Sequence, residues 1–202
     1  HTRLRTGTGV QTCALPISID DAGCYLAPAT GRLMFSQWFQ RQRLEWHATN
    51  TGSYRVQLAH LGRTQATAAG IDVEARETCT PGTRANGREC LGPSSPGTYG
   101  HLVCGELLTY WHGHGMSFDA DPAVSSAESL ALLGYPLSKE VPFSTPQGTL
   151  VVQWFERARL ERHTDQCGAL GAGGLCTGAS YVQSGLLGCA AAGFAPGSRL
   201  GG

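Results

Sequence analysis

Two short segments of this chain each set an aromatic ring, a carboxylate and an imidazole close together. "VVQWFERARLERH" (residues 151–163) carries Trp154, Glu161 and His163, and "FSQWFQRQRLEWH" (residues 35–47) carries Trp38, Glu45 and His47. In a β-hairpin, alternation puts Glu161 and His163 on one side of a strand, and likewise Glu45 and His47. A carboxylate beside an imidazole can act as acid and base or hold a polar ligand, and a flat Trp can stack on the apolar face of a sugar ring. The alternative is structural: the Trp rings fill a core, and the carboxylates pair with Arg159 and Arg43. These residues are the candidate ligand-binding groups. Nothing arranges them as a nucleophile elbow, a metal triad or a paired-carboxylate cleft, so no catalytic residue is assigned. A catalytic site is usually built once, whereas binding and structural units recur, and the near copy favours a non-catalytic module.

Other chemistry-bearing groups are sparse. His112-x-His114 has no third ligand nearby, so no metal site is assigned. Asp119 and Asp121 in "FDADP" begin a calcium-loop pattern that is not completed, and turn formation is the expected role. "GAGGLC" lacks the Gly-Lys-Ser/Thr ending of a phosphate loop. No cofactor is expected.

Charge balances at 15 basic and 15 acidic residues, which points to no nucleic-acid partner. No apolar run nears the roughly 20 residues that cross a bilayer, so no membrane span is expected. Residues 8–18, "TGVQTCALPIS", look like a sequencing adapter translated in frame, and residues 1–18 are set aside as an assembly artefact. Eight cysteines, with Cys13 in that segment, fit disulfides in an exported protein better than a zinc site. Cys79 with Cys90 and Cys167 with Cys176 are the candidate pairs, the second bracketing the Gly-rich insertion "CGALGAGGLC".

The elements that must hold these groups follow from local pattern. "MFSQWF" with "RLEWH" and "GTLVVQWF" with "RLERH" read as hairpins. With Glu156–Arg159 as the turn, Phe155 faces Leu160, Trp154 faces Glu161 and Val152 faces His163; the first copy sets Trp38 against Glu45 and Ser36 against His47. "SYRVQLAHLG" reads as a short helix ending near Gly62, and residues 100–115 as an amphipathic helix with Val103, Leu107, Tyr110 and Trp111 on one face. "SSAESLALLGYP" carries a Ser125-x-x-Glu128 capping box, with Gly134 as the stop.

Residues 100–188 contain, in order, "GHLVCGELLTYW", "LLGYPLSKE", "GTLVVQWFERARLERH" and "TGASYVQSGLLG". This succession resembles the LGFP repeat, closest to LGFP-like repeats of exported proteins in Chloroflexi-type bacteria. Residues 33–62 form a partial copy. Trp111, Leu133 through Glu140, Phe155-Glu156 and Thr177-Gly178-Ala179 carry the likeness. Arg157 and Ala158 depart from it, standing where the family has turn glycines. The resemblance implies an exported or cell-envelope location, attachment to cell-wall polysaccharide or peptidoglycan, and no catalytic residues. The expected fold class is α+β, tandem repeats of short helices and β-hairpins with the first repeat truncated. The expected division is an artefact at 1–18, a truncated repeat at 19–65, a connector at 66–98, a fuller repeat at 99–188 and a low-complexity tail at 189–202. A small exported hydrolase and a purely structural spacer remain as alternatives.

Overall fold

Runs such as Val152-Gln153-Trp154, with apolar side chains two apart, favour strands that bury one face. The computed structural model describes residues 4–6, 18, 19, 23–27, 32–93, 100–119, 121–146, 148–163 and 181–193, and the fold is mixed α/β with strands predominating. After β1 (Leu4–Thr6), the strands β2 (Gly23–Ala27), β3 (Arg32–Trp38), β4 (Arg43–Trp46) and β5 (Val56–Leu58) form an antiparallel meander. Helix α1 (Leu61–Ala68) follows, and then β6 (Arg84–Ala85), β7 (Arg88–Leu91) and β8 (His101–Cys104) form a three-stranded sheet. Helix α2 (Gly105–Gly113) leads into β9 (His114–Met116), which pairs with β1, and then comes α3 (Ser126–Leu133). A second antiparallel meander joins β10 (Val141–Thr145), β11 (Gly148–Trp154), β12 (Arg159–His163) and β13 (Tyr181–Ser184), and α4 (Leu187–Ala192) follows it.

The two meanders share strand order and register. Trp38 faces Arg43 and Ser36 faces Glu45, as Trp154 faces Arg159 and Val152 faces Glu161. The expected opposition of Trp to Glu is therefore displaced by two residues. The turns are Phe39–Gln42 and Phe155–Ala158, each closed by a 2.8 Å bond from the Phe amide to the last carbonyl. Because side chains alternate, a shift of two changes partners but keeps every group on its face. Beside each turn runs one more extended piece. Leu137 N donates to Trp154 O (2.8 Å) and Pro136 bridges Phe155; Ile19 N donates to Trp38 O (3.0 Å) and Ser18 bridges Phe39. Ser18 and Ile19 thus take the places of Pro136 and Leu137.

Each meander also docks on the other. Arg63 N donates to Glu156 O (3.0 Å) and Cys189 N donates to Gln40 O (3.0 Å), so the helix after each sheet caps the opposite turn. Glycine permits the approach. A β-carbon on Gly62 would overlap the Phe155 carbonyl, and one on Gly188 the Phe39 carbonyl. The core lies around this junction in two clusters. Phe155 and Leu160 pack with Leu58, Leu107, Trp111 and Leu133; Val152 and Trp154 pack with Ala59, Leu61, Ala66 and Leu187. The second sheet is therefore covered on both faces.

Several expected elements take another form. "SYRVQL" is a 3-10 turn (Gly52–Arg55) and then strand β5, because Val56 and Leu58 can complete the open edge of β4 opposite Trp46 and Leu44. The expected helix over 100–115 is strand β8 and then α2; Val103 and Leu107 are both fully buried, but they reach the core from different elements. Among the described residues, the span 66–98 holds the end of α1, β6 and β7. Residues 187–192 form α4 with Cys189 buried, so the expected tail begins inside a packed helix. The α3 capping box is present with both its bonds, and Gly134 is its C-cap. Asp119 and Asp121 accept from the amides of Asp121 and Ala123, both 2.9 Å, as turn formers do. Cys79 and Cys90 form a disulfide, whereas Cys167 and Cys176 lie outside the described residues.

The close approach at Gly62 yields a stability prediction. Gly62→Ala should destabilise by about 2–3 kcal/mol, as overpacking against rigid backbone does, whereas Gly113→Ala, with nothing within 4 Å of the new carbon, should be near neutral. Urea midpoints of the two variants check this, and equal midpoints would contradict the docking.

Candidate functional site

The alternation that builds β12 aligns Arg159, Glu161 and His163 on the face that also carries Trp154 from β11. Glu161 Oε1 accepts from Arg159 Nε at 2.9 Å, and Oε2 lies 3.1 Å from His163 Nε2. The guanidinium sits 4.0 Å over the Phe143 ring and 5.0 Å from the Trp154 ring, and the imidazole stacks on Tyr181 at 5.2 Å. The first meander repeats the set. Arg43 Nη2 donates to Glu45 Oε1 at 2.6 Å, His47 Nε2 lies 3.5 Å from Glu45 Oε2, and Arg43 stands 4.7 Å over Trp38.

The sequence candidates are thus brought together in two ladders, but Trp154, Glu161 and His163 are buried. A carboxylate already shared between a guanidinium and an imidazole has no need of a substrate to satisfy it. Such pairing holds a sheet face in register; in the first ladder Trp38, Glu45 and His47 are half-buried. Among the described residues no group of three His, Cys, Asp or Glu side chains could hold a metal ion. His112 Nε2 lies 2.8 Å from Glu89 Oε2, and His114 stacks on Tyr110 at 3.7 Å.

Accessible aromatic surface lies elsewhere, at positions outside the candidate set. Phe35 and Trp46 are directly opposed on the other face of the first sheet, 50% and 43% exposed, and Tyr54 is 63% exposed. Val56, the next residue along that row opposite Trp46, lines a cleft of about 600 Å³. Tyr54 lines it too, 6.0 Å from Phe118, and α3 supplies Leu130 and Ala131 on the far wall. Arg157, from the turn of the second hairpin, completes it. Its Nε donates to Leu58 O (3.2 Å) and its Nη1 to Leu130 O (3.3 Å). Burial lowers the pKa of Arg157. The only sign of this surface in the sequence is that Phe35 and Trp46 have no aromatic counterparts in the second copy, which carries Val151 and Arg162.

Comparison of the chain with protein families, with curated proteins and with solved structures finds no match.

Two predictions follow from the charges described. Glu161→Gln should destabilise the fold by about 2–3 kcal/mol by leaving Arg159 short of a counter-charge, and Arg159→Met added to Glu161→Met should be less damaging than the sum of the two. An unchanged unfolding midpoint for Glu161→Gln would refute the structural role. Burial also lowers the pKa of His101 and His114 below the ordinary 6.5. The unfolded chain then takes up protons that the folded chain refuses, so stability falls as pH drops through about 6.5. His101, 3% exposed with Nε2 3.0 Å from Ala75 O, should contribute visibly. His101→Gln should flatten the denaturation midpoint between about pH 7.5 and 5.5, and an equal slope in variant and parent would contradict it.

Proposed function

We propose that this chain is a non-catalytic, exported tandem-repeat module that binds a glycan of the cell envelope, with the duplicated hairpins as scaffold and the exposed aromatic edge of the first sheet as the contact surface. One observation carries the reading: Phe35, Trp46 and Tyr54 stand exposed beside a cleft, while the duplicated Trp-Arg-Glu-His groups are paired with one another. Grouped apolar surface of this kind marks a binding site more often than a solvated face. Flat aromatic rings on a sheet match the apolar faces of pyranose rings, and their few rotatable bonds limit the entropy lost on binding.

The sequence resemblance to LGFP repeats, the matching strand order of the two meanders and the disulfide favour a repeated module of an exported protein. The reciprocal capping of turns suits a spacer equally well, and ligand binding separates the two readings. Purified chain should be retained on peptidoglycan or on a polysaccharide of a glycan array. Trp46→Ala should weaken that retention roughly tenfold or more, as loss of an aromatic anchor does, and Arg84→Ala, on the three-stranded sheet, should not. Retention on no polysaccharide would leave only the spacer. Turnover of a glycoside, ester or peptide substrate that is lost on Glu161→Gln would overturn the non-catalytic reading.

A further inference from the structure

We propose that the bound glycan is acidic, and that the cleft beside the aromatic edge takes one of its carboxylates on Arg157. This rests on the glycan-binding reading above and adds the class of sugar. The aromatic row and the cleft are continuous, since Val56 is the cross-strand neighbour of Trp46 and lines the cleft, and Tyr54 stands at its mouth. A strand stacked on Phe35 and Trp46 therefore has a cavity of about 600 Å³ at its end, large enough for a further sugar unit.

The charges of that cavity select its occupant. Arg63, Arg76, Arg157 and His60 line it, against Glu156 as the one lining carboxylate among the described residues. Glu156 is already engaged, its Oε2 accepting from Tyr135 N at 3.1 Å. At the rim, Glu74 sits 2.7 Å from Arg63 and 3.5 Å from Arg76. Arg157 pairs with the Glu156 carboxylate, its Nη1 lying 3.8 Å from Glu156 Oε2, but its outer nitrogen is left over. Two backbone carbonyls take Nε and Nη1, and no described residue accepts from Nη2. Its side chain is only 16% exposed, so bulk water compensates it poorly. A donor so placed among Val56, Met116, Phe118 and Leu130 is matched by an acceptor that carries negative charge, on a ring whose apolar face meets the wall. A uronic acid meets both requirements. A neutral sugar offers only hydroxyls to a guanidinium.

Titration calorimetry at low salt with an oligogalacturonate, and with a neutral chitooligosaccharide of matched length, tests the inference. The acidic oligomer should bind roughly tenfold or more tightly, and added salt should erode that advantage. Arg157→Lys keeps a charge but cannot serve two carbonyls and a ligand from one fork. It should remain folded by circular dichroism and lose the preference, with neutral binding unchanged. Should that variant unfold, the Nε–H resonance of Arg157 in the unaltered chain decides. It should move on addition of glucuronate, and a stationary resonance overturns the proposal. Equal affinity for both oligomers overturns the acidic inference and leaves glycan binding standing. No binding of either, alongside no retention on any polysaccharide, removes both.

Discussion

Gly62 and Gly188 each bring the start of a helix against the hairpin turn of the opposite sheet, and the rest of the molecule is arranged around that exchange. A turn presents carbonyls that its own hairpin does not use, and Glu156 O and Gln40 O find donors in Arg63 N and Cys189 N. Only a residue without a side chain lets the two backbones come this near. The exchange pins both turns at once. With Phe155–Ala158 and Phe39–Gln42 held, the register of each sheet follows, and with it the side chains that share a face. Arg157 belongs to one of these turns, so the exchange that fixes the fold also carries its guanidinium to Leu58 O at the end of the first sheet.

The same packing explains the charged ladders. Helices α1 and α4 bring Leu61, Ala66 and Leu187 over Val152 and Trp154, and that face is closed to water. An arginine or glutamate on it is then tolerable only if paired. Arg159 answers Glu161, and the aromatic rings of Phe143 and Trp154 shield the guanidinium. Such a pair adds little net stability against an apolar substitute, but breaking it leaves a buried charge. Its contribution is selective, since a hairpin slipped by two residues would set Trp154 opposite Glu161 and separate Arg159 from its rings.

Much of this was legible in the residues. Ser125 and Glu128 announced a capped helix, Cys79 and Cys90 a closed loop, and the two Gln-Trp-Phe segments a pair of hairpins. The turn position was not legible, because Phe-Glu-Arg-Ala and Glu-Arg-Ala-Arg are both acceptable turns locally, and the docking of Gly62 that favours the first is a contact far away in sequence. Strand β5 is not legible in its own residues for a related reason. "SYRVQL" carries no signal that β4 has an open edge waiting for it. "HLVC" reads as helix because Val103, Leu107, Tyr110 and Trp111 are apolar at helical spacing, although a strand and the helix after it bury Val103 and Leu107 equally well.

The exposed aromatic row is not legible in the repeated segments for a more general reason. Setting the two copies side by side selects the positions they share, and shared positions are those that any copy needs in order to fold: Trp38 and Trp154, Glu45 and Glu161, Gly62 and Gly188. A ligand site that belongs to one copy must instead lie where the copies part. Phe35 stands where the second copy has Val151, and Trp46 where it has Arg162. In the second sheet Arg162 turns to Glu140 at 3.2 Å and Val182 packs against the core, so that row is closed by an ion pair and by burial. In the first, the corresponding row carries Phe35 and Trp46 exposed, with the Arg55 guanidinium 5.8 Å from the Trp46 ring and Val56 at the cleft. The duplicated residues therefore argue for architecture, and the unduplicated ones are where the proposed contact surface lies. The asymmetry between two otherwise matched sheets is the better guide to where a ligand would sit.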